Sequence, residues 1–82
     1  MLDVPSTIVT LSQQLGVSVT LASVGYEDIW PVENVVLTFH AEYPDHTRQI
    51  EVVLKALGEY IVQDKISGDV LAIDLGYSVQ FA

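Results

Sequence analysis

The stretch DHTRQIEVVLKALGEYIV, residues 45–62, decides the fold that the sequence predicts. Asp45 is a suitable N-cap, because its carboxylate can accept a backbone N–H from a first helical turn. Glu51 and Lys55 form a favourable i,i+4 pair on the polar side. Apolar residues recur at i, i+3, i+4, i+7 and i+11, the spacing of one buried helix face: Ile50, Val53, Leu54, Leu57 and Ile61. We therefore predict a helix over His46 to Val62, about 25 Å long at about 1.5 Å per residue.

Alternation of apolar and polar residues on both sides of this helix predicts three strands. Residues 17–24 and 35–43 alternate in this way, and residues 70–81 carry the clearest alternation of all. The apolar sides of the first two strands are Val17, Val19 and Leu21, and Val35, Leu37, Phe39, Ala41 and Tyr43. A strand over residues 70–81 spans about 40 Å, so we expect its far end to extend beyond the long helix.

A shorter helix is predicted near the start of the chain. Pro5 precedes Ser6 to Leu15, apolar residues follow helical spacing, and Gly16 supplies a stop. Because residues 7–10 are all β-branched, a strand from Thr7 to Leu11 is an alternative. Residues 25–34, GYEDIWPVEN, mix Gly, Pro and Asn with carboxylates and aromatics, and they predict a loop between the first two strands.

The predicted order helix, strand, strand, helix, strand gives an α+β two-layer sandwich. We expect one compact domain over residues 1–82, with a small three-stranded mixed sheet in the order 3-1-2. The right-handed crossover through the long helix makes the second and third strands parallel, with the long and the short helix on one face. The expected core residues are Val19, Leu21, Leu37, Phe39, Ile50, Val53, Leu54, Leu57, Ile61, Leu71, Ile73 and Leu75.

The charge balance excludes several ligand classes. The chain has three basic residues, Arg48, Lys55 and Lys65, and eleven carboxylates, so its formal net charge is −8. Direct binding of nucleic acid or of an anionic membrane is therefore not expected, because both need rows of cations. The chain has no cysteine for thiol catalysis or thiolate metal sites. The sequence contains no apolar run long enough to predict a membrane span, and no cationic leader that would predict a signal peptide. We therefore expect a cytoplasmic protein, or a virion component if phage-encoded.

The densest group of potential metal ligands is His40, Glu42, Asp45 and His46. Imidazole and carboxylate groups could in principle form a zinc site. Each residue also has an ordinary structural role, as a polar strand residue, a helix cap or a first-turn residue. The carboxylates are scattered, and no Gly-rich phosphate loop or serine nucleophile motif occurs. We expect no metal, no cofactor and no enzymatic activity.

Aromatic residues beside carboxylates predict a surface for protein partners. Aromatic side chains supply buried area in such contacts, while charges steer the encounter. The alternative for Ile29 and Trp30 is that they fold back over the core, with Pro31 fixing the return. The candidate partner-binding residues are Tyr26, Glu27, Asp28 and Trp30 in the predicted loop, and Tyr77, Val79 and Phe81 in the last strand.

High apolarity in a small acidic chain favours a structural or assembly protein that acts through protein contacts. The partner would be a second copy or another chain of a larger particle. From Val35 onward, the predicted order of strand, helix and alternating strand resembles small phage tail-terminator and connector subunits. That resemblance implies a ring-forming viral subunit. The alternative is an acidic inhibitor protein, of the anti-defence or immunity type, that binds a basic surface of a target protein.

Overall fold

Over its described residues, the protein forms one antiparallel sheet with one helix against it. The structure, a computed structural model, describes residues 3–29, 32–55 and 59–75. The elements in chain order are helix α1 (Val4–Leu15) and strands β1 (Ser18–Ile29), β2 (Val32–Glu42), β3 (Thr47–Leu54) and β4 (Tyr60–Asp64). The strands lie in the order β1-β2-β3-β4, so each strand pairs with its neighbour in sequence.

Helix α1 confirms the predicted first helix and makes the strand alternative for residues 7–11 wrong. At its N-terminus the carbonyl oxygen of Asp3 accepts hydrogen bonds from the N–H and the hydroxyl of Thr7, at 2.9 and 2.8 Å. At its C-terminus Gly16 adopts φ +70°, a left-handed conformation that glycine tolerates best. Thr7 and Leu11, one turn apart, are buried against the sheet.

The predicted long helix over residues 46–62 is wrong, because residues 47–54 and 60–62 lie in the antiparallel strands β3 and β4. Val52 lies directly opposite Val62, a pair that could not meet in a helix. The apolar run fills both faces of β3: Val52 points toward α1, whereas Val53 points away and is still only 7% exposed. Apolar residues on two faces of a strand imitate helical spacing, and their β-branched side chains favour the strand.

The fold is α+β as predicted, but the predicted arrangement of strands and helices is wrong. The described residues form a sheet of four antiparallel strands with one helix against it, not three mixed strands in the order 3-1-2 with two helices. The strand, helix, strand order that carried the resemblance to phage tail subunits is absent from residues 35–55 and 59–75. Residues 71–75 are not a strand, although Val70 makes an isolated bridge to Gln63. The remainder of the predicted last strand lies outside the described residues.

The predicted loop over residues 25–34 is also wrong where it is described, because β1 continues to Ile29 and β2 begins at Val32. The sequence pattern hid this continuation. Leu21 pairs with Phe39 and Ser23 with Thr38, so Ala22 is an extra residue in a β-bulge. The bulge moves the apolar side of β1 from odd to even positions.

The core lies between the sheet, α1 and the segment after β4. Its buried members are Leu11, Val19, Leu37, Phe39, Ala41, Ile50, Val52, Val62 and Leu75. Of the expected core residues outside this set, Leu21, Leu54, Leu71 and Ile73 pack against it while partly buried. Val53 and Ile61 pair with each other on the opposite face, and Leu57 lies outside the described residues.

Candidate functional site

The four potential metal ligands are not brought together as a metal centre. His40 lies in β2 opposite Gln49. Glu42 accepts a hydrogen bond from the Thr47 hydroxyl at 2.8 Å. Within residues 3–29, 32–55 and 59–75, no group of three or more His, Cys, Asp or Glu side chains is placed to hold a metal ion.

Asp45 and His46 interact with each other in the exposed β2–β3 turn. Nδ1 of His46 lies 2.7 Å from Oδ1 of Asp45, and its ring stacks on Tyr43 with centroids 4.9 Å apart. The side-chain hydrogen bond to His46 is the main reason that the pKa of Asp45 lies below its ordinary value. Asp45 was predicted to cap a helix, and that role is wrong because β3 follows instead.

A second polar cluster, which the sequence analysis missed, surrounds Asp64 at the end of β4. Nε of Arg48 donates to Asp64 Oδ2 at 2.6 Å, and the backbone N–H groups of Ile66 and Ser67 donate to Oδ1 at 2.9 and 3.0 Å. The Arg48 hydrogen bond, helped by the turn N–H groups, lowers the pKa of Asp64 to about 2. The same contact raises the pKa of Arg48. This carboxylate holds the turn after β4 to β3, which is a structural task.

A shallow apolar groove of about 420 Å³ runs between β4 and residues 70–74. The phenol oxygen of Tyr60, on its wall, accepts a hydrogen bond from the backbone N–H of Leu75 at 3.0 Å. The backbone N–H of Leu71 donates to the carbonyl of Val62 at 2.8 Å. These contacts hold residues 70–75 along β4, so the outer edge of β4 is partly covered by its own chain.

The outer edge of β1 differs from that of β4. Among the residues that the structure describes, no strand pairs with this edge. Its sequence from Ser18 to Tyr26, SVTLASVGY, contains no charge and no proline. Edge strands are commonly protected by charged side chains, Pro or a bulge, and from Ser18 to Tyr26 β1 has only the bulge at Ala22. An unprotected edge can accept a strand from another chain.

Two exposed apolar side chains accompany this edge. Val24 is opposite Leu37 and Tyr26 is opposite Val35, so both lie on the face that carries the core. Val24 is nevertheless 53% exposed and Tyr26 78% exposed. The 12 residues of α1 extend about 18 Å, whereas the 12 residues of β1 extend about 40 Å, so the helix cannot cover the whole strand.

The structure places the predicted partner-binding residues unevenly. Tyr26 lies exposed in β1. Glu27 and Asp28 lie further along β1, opposite Asn34 and Glu33. Trp30, Tyr77, Val79 and Phe81 lie outside the described residues. Sequence reasoning missed Val24 and the strand edge itself. The apolar residues of this stretch change from odd positions up to Leu21 to even positions from Val24, and this change was a signal of the bulge.

A comparison with known protein families, curated proteins and solved structures found no match. In the part of the chain that the structure describes, no helix combines the length and apolarity that crossing a membrane requires.

Proposed function

We propose that this protein is a non-enzymatic assembly subunit that associates with further copies of itself through protein contacts. The observation that carries the proposal is the outer edge of β1, which is uncharged from Ser18 to Tyr26 and unpaired among the described residues. Val24 and Tyr26 lie along this edge, whose outward backbone groups have no strand partner in the part of the chain that the structure describes. A second chain that paired there would satisfy the backbone and cover both side chains.

The net charge supports a specific place for this contact. A formal charge of −8 makes two copies repel each other. The uncharged edge of β1 is a part of the surface where they can approach with the least repulsion. Salt screens this repulsion, since the Debye length falls from about 10 Å at 0.1 M to about 3 Å at 1 M. Self-association should therefore strengthen as salt is added.

The test is light scattering and analytical ultracentrifugation over a range of protein and NaCl concentrations. We expect an oligomer that Val24→Ser and Tyr26→Ser weaken at least tenfold, equivalent to about 1.4 kcal/mol. Val9→Ser is the matched control, because Val9 on α1 is 54% exposed and Val24 is 53% exposed. A wild-type chain that stays monomeric at high protein and salt concentration contradicts the proposal.

The C-terminal candidates remain a prediction of their own. Replacing both Val79 and Phe81 with Ser is expected to dissociate the oligomer if their large apolar side chains meet a second copy. Dissociation by these substitutions, without any effect of Val24→Ser, would support assembly but place the contact outside β1.

The second candidate function is an acidic inhibitor of a protein with a basic surface. Carboxylate residues concentrate at one end of the β1–β2 hairpin, where Asp28 pairs with Glu33 and Glu27 follows on β1. Such a contact joins opposite charges and should weaken with added salt. A monomer whose binding to a cationic protein falls steeply with NaCl, and falls further in Glu27→Gln, would favour this function over assembly.

A further inference from the structure

We propose that two copies join β1 to β1 in antiparallel orientation, about a two-fold axis that passes midway between their two Gly25 residues. This inference rests on the proposed self-association and specifies its geometry. The two four-stranded sheets would become one continuous sheet. Both α1 helices would lie on the same side of it, because residues directly opposite each other in an antiparallel pair share a face.

The exposed side chains select this register. With Gly25 opposite Gly25 of the second copy, Val24 lies opposite Tyr26 of that copy, and Tyr26 lies opposite its Val24. A β-branched residue facing an aromatic one is a favourable cross-strand pair. A shift by one residue would instead set Val24 opposite Gly25 and leave both apolar side chains unmatched.

The positions of the carboxylate residues select it as well. An axis at Gly25 sets Glu27 opposite Ser23 of the second copy, so the two Glu27 positions lie about 14 Å apart along the strands. That separation exceeds the Debye length of about 8 Å at physiological salt. An axis at Tyr26 would bring the two Glu27 positions to about 7 Å. A parallel in-register pair would set Glu27 against Glu27.

The bulge and the glycine fit the same axis. Ala22 interrupts the strand, so a regular ladder can begin at Ser23, and an axis at Gly25 centres the ladder on residues 23–27. An axis at Val24 would set the bulged Ala22 opposite Tyr26. Among the described residues, nothing lies within 4 Å of the position that a Cβ of Gly25 would occupy, so a side chain can be introduced there without a clash.

The test uses the absence of native cysteine. In the full chain, Gly25→Cys should form an intermolecular disulfide on mild oxidation, because equivalent Cα atoms at the axis lie about 4.5 to 5.5 Å apart. Gln13→Cys on the exposed side of α1 is the control and should not crosslink. Crosslinking of Gly25→Cys should persist when Val79 and Phe81 are both replaced by Ser.

Spin labels give an independent measurement. Labels on Thr20→Cys and Ser18→Cys, both exposed positions, should lie about 27 and 41 Å apart between copies, since each regular step from the axis adds about 6.8 Å and the bulge at Ala22 removes one step. A dimer that shows neither this increase nor the Gly25→Cys crosslink overturns the geometry while leaving self-association intact. A monomer overturns both, and loss of the crosslink with Val79 and Phe81 replaced assigns the contact to the C-terminal residues.

Discussion

Val62→Thr tests whether residues 46–62 form a hairpin or a helix. In the structure Val62 is 2% exposed and belongs to the core, whereas the helical pattern leaves it off the buried face. Threonine has nearly the shape of valine, so the substitution changes polarity more than volume. Burying its hydroxyl without a partner costs about 1 to 3 kcal/mol, while an exposed hydroxyl costs close to nothing.

The pairing of β3 with β4 adds a second measurement. Val52 and Val62 are direct cross-strand partners, with Cβ atoms expected about 4.5 to 5.5 Å apart. In a helix the two residues would be about 15 Å apart along the axis. Two threonines can hydrogen bond across the hairpin, so the double variant should regain about 1 kcal/mol relative to the sum of the single variants.

The assay is urea unfolding followed by circular dichroism at one low protein concentration, which keeps self-association constant. The control is Gln63→Thr, next to Val62 but on the opposite face of β4, with an expected change within about 0.5 kcal/mol. A loss of less than about 0.5 kcal/mol in Val62→Thr, equal to that of the control, would refute the burial of Val62 and the hairpin with it.

Three further predictions concern charge, backbone and metal. Arg48 and the backbone N–H groups of the turn lower the pKa of Asp64 from an ordinary value of 3.8 to about 2, so the stabilising contribution of the Asp64 carboxylate is full above pH 3.8 and is lost as the pH falls through about 2. Asp64→Asn should therefore melt at lower temperature at pH 7 and depend less on pH between about 5 and 2, as thermal melts would show. Gly16→Ala should cost about 1 kcal/mol because φ is +70°, whereas Gly25→Ala, with open space at its Cβ, should raise the unfolding free energy by about 0.4 to 1 kcal/mol. Added Zn²⁺ should raise the melting temperature by no more than about 2 °C; a saturable increase that His40→Ala abolishes would contradict this.

The sequence correctly predicted the elements in which apolar and polar residues repeat with one period along the whole element. Residues 35–43 alternate regularly because the apolar side chains that β2 contributes to the core all lie on one face, and Leu37, Phe39 and Ala41 are buried as expected. Helix α1 was predictable from Pro5 and Gly16, which act locally at its two ends. Residues that mark the ends of a helix, and apolar residues confined to one face of a strand, can both be recognised from a single sequence.

The sequence misled where burial is two-sided or where the period changes within an element. Val52 and Val53 are both buried, on opposite faces of β3, and this removes the alternation that identifies a strand. The bulge at Ala22 made β1 look as if it ended early. The position of β1 at the edge of the described sheet was not predictable at all, since which strand lies at an edge depends on the pairing of the whole sheet.

The bulge also bears on how β1 tolerates changes in length. Losing a residue from a regular strand inverts every side chain beyond the gap. Ala22 is different, because its neighbours Leu21 and Ser23 already pair with the consecutive residues Phe39 and Thr38. A deletion of Ala22 would leave every other residue of β1 opposite the same β2 partner and on the same face of the sheet. The strand would then be regular. Loss of Ala22 during evolution would therefore straighten β1. The regular part of its outer edge would become longer, and uncontrolled pairing with strands of other chains would become easier.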